Sequence, residues 1–498
     1  MDLTEADIAG LQRLMEEGAA TSADLVRACL ARIEAVDRAG PRLNAVLSVN
    51  PHALAIAANL HDERRAGKVR GPLHGIPVLI KDNIDTGDAQ PTTAGSLAFG
   101  STPAPRDAEV VRRLRSAGAV VLGKTNLSEW ANFRGSRSSS GWSAVGGQTR
   151  NPHVLDRSPL GSSSGSAAAV AAGLAPIAVG TETDGSIVAP ASVCGVVGFK
   201  PTLGLVSRRG IVPIAHSQDT AGPMARSVAD TAILLDAMAG SDKVDRATRL
   251  ADARRGCYRD AIEGAALKGR RLGIARTLIH DDARVAPVLE SALRTMREHG
   301  AEVVDPIEFD AGPFYGDEFT VLCHEFKADL AKYLAERGDP SLQSLADVIA
   351  FNEREASREL RWFGQELMLQ AQATEGLDAP NYRKARARAR RLTGRRGIDA
   401  AIARHQLDAI VAITFSPAFC VDPVNGDHAG SMISCSGPAA VAGCPHVTVP
   451  GGFVHGLPVG VSFFAGAWQD AAVLSIAHAF EQAHGARQWP QFRPTLEI

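Results

Sequence analysis

The chain has 498 residues, of which 45% are hydrophobic and 22% charged, with 53 Lys plus Arg against 55 Asp plus Glu. That balance, a net charge of −2, gives no footing for nucleic acid or an anionic membrane as partner, and the composition is that of an ordinary globular protein. Seven scattered cysteines without a CxxC pair argue against a disulfide framework or a structural zinc site and fit a reducing compartment. No apolar run approaches the ~18 residues of a membrane span; the longest candidate, Ala167 to Gly180, is Ala- and Gly-rich and too short. The N-terminal MDLTEADIAGLQRLMEEG is acidic and amphipathic, without the basic head and cleavage site of a signal peptide, so the cytoplasm is the expected location.

Residues 1–65 read as helices. Thr21 and Ser22 precede ADLVRACLARIEAVDR, whose apolar positions recur at helical spacing, which predicts a capped start. In HGIPVLIKDNID the run Ile76 to Ile80 then reads as a short buried strand that delivers Lys81 to its end. AEVVRRLRSAGAVVLGKTN predicts an amphipathic helix, a stop at Gly118 and a second buried strand from Ala119 to Leu122. Helices alternating with apolar strands predict an α/β fold with a covered sheet.

From 136 to 165 the chain is rich in Gly, Ser, Asn and Pro, which inside a core-forming region suggests an active-site loop system. SAAAVAAGLA should be a helix, followed by GTETDGSIVAPASVCGVVGFKPT. In the latter, Cys194 has no base placed beside it and reads as a small core residue. Residues 246–405 are charged and helical in texture, a peripheral region; the basic run Arg383 to Arg391 is expected to be a solvated helix face. Strand-like runs return in 406–498, in LDAIVAITFS and HVTVPGGFVHGLPVGVSFF. The expected plan is a core in 66–245, preceded by the helical 1–65, interrupted by 246–405 and completed by 406–498.

Two short motifs fail on physical grounds. Gly118 to Thr125 (GAVVLGKT) fits the phosphate-loop expression, but its intervening residues are themselves the predicted strand and cannot wrap a phosphate. Gly161 to Gly165 (GSSSG), centred on Ser163, fits a nucleophile elbow, yet TRNPHVLDRSPL before it is no strand. Lys81 itself has two readings from residue type. Burial at a strand end could strip its charge and make it a base, or it could pair with a carboxylate such as Asp82. The His residues show no HExxH or paired spacing, so none offers itself as the base.

A third, distributed set is more specific: Lys81 in GIPVLIKDNID, Ser162 in GSSSGSAAAVAAG and Ser186 in GTETDGSIVAPASVCG, the serines spaced 24 positions apart. With AGAVVLGKTNLSEWA, GGQTRNP, SQDTAGPMARSVAD, AVAGCPHVTVPGG and GLPVGVSFF, it makes the chain resemble the amidase signature family from Leu3 to Phe480. SEWANFRG and FKADL resemble its bacterial peptide amidase branch. The resemblance implies a mixed, twisted central sheet covered by helices on both faces and hydrolysis of a carboxylic amide through an acyl-enzyme. It implies Ser186 as nucleophile, Ser162, after a cis peptide bond, as proton relay, and Lys81 as base. Backbone N–H groups of Thr183, Asp184, Gly185 and Ser186 would form the oxyanion hole, with no metal or other cofactor.

Two departures stand out. Asp184 occupies a position where many members carry glycine, though the peptide amidase branch is similar in having Asp, and Ser164 stands where glycine is common. Asp219 and Arg226 in SQDTAGPMAR match a family motif beside the site, where they would either support it or serve in surface or structural pairing. Pocket walls are expected from 130–145, 310–330 and 413–436. The expected substrate is a C-terminal peptide amide or amino-acid amide, taken by a monomer or homodimer. Competing accounts are a hydrolase of aryl amides, carbamates or esters, an amidotransferase subunit, and a non-catalytic binding protein on the same fold.

Overall fold

The computed structural model describes residues 6–279, 282–428 and 433–497. Thirteen strands occur among them: β1 Val46–Val49, β2 Pro77–Lys81, β3 Val120–Thr125, β4 Trp142–Ser143, β5 Gly147–Gln148, β6 Ile177–Glu182, β7 Val197–Lys200, β8 Thr220–Ala225, β9 Arg271–Ile274, β10 Glu302–Val304, β11 Ala409–Ile413, β12 His446–Val454 and β13 Leu457–Phe464. Eleven form one mixed sheet in the order β1-β3-β2-β6-β8-β7-β12-β13-β11-β9-β10, while β4 and β5 make a separate hairpin. β3, β2 and β6 run parallel, as do β11, β9 and β10; the strands between them are antiparallel.

The apolar runs make buried strands because helices cover both faces of the sheet. Successive side chains of one run alternate between two cores. Val78 and Ile80 of β2, Val121 of β3 and Ile177 and Val179 of β6 join one cluster. Leu79, Val120, Leu122 and Ala178 join the other, with the helices Ser22–Arg32, Ala53–Arg65 and Ser164–Ala171. Lys81 lies two residues beyond Leu79 and so faces the Ala-rich helix that follows Ser162. The helix Ser22–Arg32 starts as expected, with a reciprocal cap between Thr21 and Asp24.

Three expectations need correcting. The N-terminal segment is not all helix: its β1 pairs antiparallel with β3 and forms an edge of the sheet. The region 246–405 is not merely peripheral, because β9 and β10 extend the sheet beyond β11. These strands have three or four residues, too few to show a period. The second predicted strand runs to Thr125, so the lysine of the phosphate-loop expression, Lys124, lies inside β3 and is fully buried.

Candidate active site

β2 ends at Lys81, whose amine reaches three acceptors: Ser162 Oγ at 2.7 Å, Thr181 Oγ1 at 2.8 Å and the Thr181 carbonyl at 3.3 Å. Thr181 comes from the adjoining β6, and Asn83 also donates to its hydroxyl, at 3.0 Å. Burial disfavours the ammonium and brings the Lys81 pKa down to about 7, against the opposing pull of the Glu182 and Asp219 carboxylates. Asp82 is not its partner. That carboxylate turns the other way, to Lys124 at 3.5 Å and to the Thr93 backbone N–H and hydroxyl. The ion-pair reading of Lys81 is therefore set aside.

Ser162 follows a cis peptide bond from Gly161 and is fully buried just before the helix Ser164–Ala171. Its carbonyl accepts the Ser128 N–H at 3.1 Å. Neighbouring Ser163 is fastened to β6 through Thr181: its hydroxyl donates to the carbonyl at 3.0 Å and accepts the N–H at 3.2 Å. Loop, not strand, precedes Ser163, in keeping with rejection of the elbow. The Ser163 N–H donates to the Ser186 carbonyl at 3.1 Å, joining the Ser162 loop to the turn that carries Ser186.

That turn leaves the end of β6. Gly185 adopts φ +77, in the left-handed region that favours glycine, and a Cβ there would stand 3.0 Å from Ser436 Oγ. The Glu182 carboxylate accepts the N–H groups of Ile187 at 2.8 Å and Val188 at 3.1 Å, fixing the exit of the turn. Thr183 donates its hydroxyl to Asp219 at 2.6 Å, and Asp219 is held in turn by the N–H groups of Ile214 and Ala215 at 2.8 and 2.9 Å. Burial raises the Asp219 pKa to about 6 despite those donors.

The Asp184 side chain lies beside Ser436 and Glu318, and its buried Oδ1 has no hydrogen-bond partner among the described residues. Burial and mutual repulsion raise both carboxyls, so one proton between them is the comfortable state. Gln218 spans the same region, donating to Glu318 Oε1 at 2.8 Å and to the Thr183 carbonyl at 3.2 Å.

Asp219 is thus tied to the turn that carries Ser186, whereas Arg226 lies away from that turn. In the antiparallel pair of β6 and β8, Glu182 faces Thr220 and Ile177 faces Ala225, so the two residues bracket opposite ends of β8. Arg226 donates to the carbonyls of Ala175 at 3.2 Å and Ala6 at 2.7 Å, tying down the N-terminal segment.

A cleft of about 870 Å³ touches Thr181, Thr183 and Asp219, with Ser186 outside its lining. Of the expected walls, 310–330 contributes Glu318, Val321 and Asp329, but 130–145 gives only Ala131. No described residue of 413–436 lines it, although Ser436 abuts Gly185; residues 429–432 lie outside the described ones. Walls the sequence did not suggest include the segments 244–249 and 386–390 and the loop 208–219 between β7 and β8. His216 in that loop, with Glu325 and Asp329, resembles a ligand set. Its two ring nitrogens face different carboxylates, Nδ1 to Asp329 at 2.8 Å and Nε2 to Glu325 at 3.4 Å, which is the geometry of an ion-paired clasp.

The sequence profile of the Amidase family matches residues 24–474, and the chain belongs to that family. It is accordingly an amidase, a hydrolase acting on carbon–nitrogen bonds. The crystal structure of the native peptide amidase from Stenotrophomonas maltophilia is similar with a TM-score of 0.93 and 52% identity, over 98% of this chain and 99% of that one. A probable amidase of Arabidopsis thaliana is 40% identical over 98% of this chain and 92% of its own length. A glutamyl-tRNA(Gln) amidotransferase subunit of Roseiflexus castenholzii is 36% identical over 96% of each chain. Among the described residues, no helix is long and apolar enough to cross a membrane.

Proposed function

We propose that this amidase hydrolyses C-terminal peptide amides or amino-acid amides through an acyl-enzyme on Ser186. The observation that carries the reading is the Lys81 amine 2.7 Å from Ser162 Oγ, in a buried setting that favours its neutral form. A neutral amine can accept the Ser162 proton while Ser162 takes that of Ser186, whose oxygen attacks the amide carbonyl carbon. N–H groups of the 183–186 turn receive the developing oxyanion. The proton returns by the same path to the leaving nitrogen, ammonia departs, and water repeats the sequence on the ester. Likeness to a peptide amidase across nearly the whole of both chains supports the substrate class.

Seven free cysteines support a reducing, cytoplasmic setting, where the enzyme would act as a monomer or homodimer without metal or other cofactor. The test is ammonia release across peptide amides, anilides, carbamates and esters, with Ser186→Ala as control. A peptide amide should lead the panel and a sulfonyl fluoride should label Ser186. Turnover confined to esters or anilides, or undiminished in Ser186→Ala, would defeat the proposal.

A further inference from the structure

The cleft beside Thr183 carries an imbalance of charge that the hydrolytic chemistry does not use. It runs outward between the loop 208–219 and the helix Tyr315–Arg337, with apolar surface from Ile211, Val212, Ile214 and Val321. Every acid on its walls is engaged. Asp245 accepts Arg208 Nε at 2.8 Å, Asp329 faces His216, and Glu336 accepts Arg106 at 2.7 Å. Deeper in, Glu182 and Asp219 hold backbone N–H groups, and Glu318 accepts Gln218.

The cations differ. Arg246, Arg249, Lys332 and Arg390 line the same cleft and are exposed, and none of their side chains has a hydrogen bond or ion pair among the described residues. They come from three separate segments, so no single charged helix accounts for their convergence on one opening. Like charges around a concave wall reinforce one another and concentrate small anions there. Guanidinium groups match a carboxylate with two parallel donors, and the apolar surface suits the methylene stem that carries it.

We infer that this cleft selects acidic substrates: it receives side-chain carboxylates of a peptide amide whose C-terminal carbonyl reaches Ser186 past Thr183. This rests on the peptide-amide reading above and goes beyond it by naming the preferred side chains. The cations act on substrate residues upstream of the scissile amide, so their effect falls on capture, in kcat/KM.

The test measures kcat/KM for three amidated peptides identical except for Glu, Gln or Lys upstream of the C-terminal amide. At low salt the Glu peptide should exceed the Gln peptide by about tenfold, with the Lys peptide below both. The advantage should fall to about twofold in ~0.5 M NaCl, where exposed charges are screened. The double variant Arg246→Glu/Arg390→Glu should reverse the order of the Glu and Lys peptides. Equal, salt-insensitive values in the wild type, or an unchanged ratio in the variant, would overturn the inference while leaving peptide-amide hydrolysis standing. If none of the three peptides is hydrolysed, the hydrolytic reading fails instead. Calorimetric binding to Ser186→Ala then decides the cleft: tighter, salt-sensitive binding of the Glu peptide supports it, and equal binding of Glu and Gln peptides refutes it.

Discussion

Two lysines on adjoining parallel strands, Lys81 at the end of β2 and Lys124 near the end of β3, are both fully buried, and burial lowers the pKa of both. Their partners separate them. Lys124 has Asp82 at 3.5 Å, donates to the Ile84 carbonyl at 2.6 Å, and feels the pull of Asp85 and Asp88 as well. Lys81 has two hydroxyls and a carbonyl in contact, with Glu182 and Asp219 acting on it only as more distant charges. A carboxylate in contact favours the ammonium form of a buried amine, whereas neutral hydroxyl and carbonyl partners leave it freer to shed its proton.

The sharpest way to break this comparison is to remove each amine. Lys81→Met should lower kcat/KM by about 10³-fold or more, the scale of a lost general base, and Ser162→Ala should do the same. If the two act as one relay, the double variant Lys81→Met/Ser162→Ala should be little worse than either alone. Lys124→Met should leave the pH profile of the folded enzyme intact but strand Asp82, costing about 3–5 kcal/mol of unfolding free energy measured by urea denaturation. Loss of catalysis without loss of fold in the Lys124 variant would dissolve the distinction.

The next effect is on pH. Below about 7 the Lys81 amine is protonated and cannot accept, so kcat/KM should rise with pH through a value near 7. The stability change has a definite sign too. The folded pKa of Lys81 lies below its unfolded value of ~10.4, so the unfolded chain binds more protons between about 7 and 10 and stability rises across that window. Denaturation at pH 7 and 9.5 should show that rise in the wild type and a smaller one in Lys81→Met, which should also be more stable at pH 7 by ~1 kcal/mol or more. An equal slope in both would mean that Lys81 stays charged in the folded state.

How much of this is legible in the sequence depends on the range of the contact. The strand ending in Lys81 is a local feature, visible as an apolar run. Ser162 and Ser186 are not legible from residue type, since Gly/Ser loops abound; only long matching stretches point to them. Thr181, which meets Lys81 across 100 residues of chain, and Glu318, which meets Gln218 across another 100, sit in no motif that singles them out. Their places follow from strand order and from the packing of the helix Tyr315–Arg337, neither of which the sequence displays. Arg226 shows the converse, and the structural one of its two readings fits: closeness to Asp219 in sequence is not closeness in space.

The two ends of β8 provide the smallest test. Asp219 and Arg226 flank the six extended residues of β8, seven steps along the chain and more than ~20 Å at ~3.3 Å per residue. Asp219→Asn keeps the size of the side chain but weakens the grip on the Thr183 hydroxyl and on the Ile214 and Ala215 N–H groups. It should lower kcat/KM by about tenfold and shift the pH profile, because a charge acting on Lys81 is gone. Arg226→Met strands the carbonyls of Ala175 and Ala6 and should cost about 1–3 kcal/mol of stability, with kcat/KM of the folded enzyme within about twofold of wild type. The pH profile is the readout that separates them, since a purely structural loss leaves its midpoint where it was. A shifted midpoint in the Arg226 variant would mean that the far end of the strand reaches the base after all.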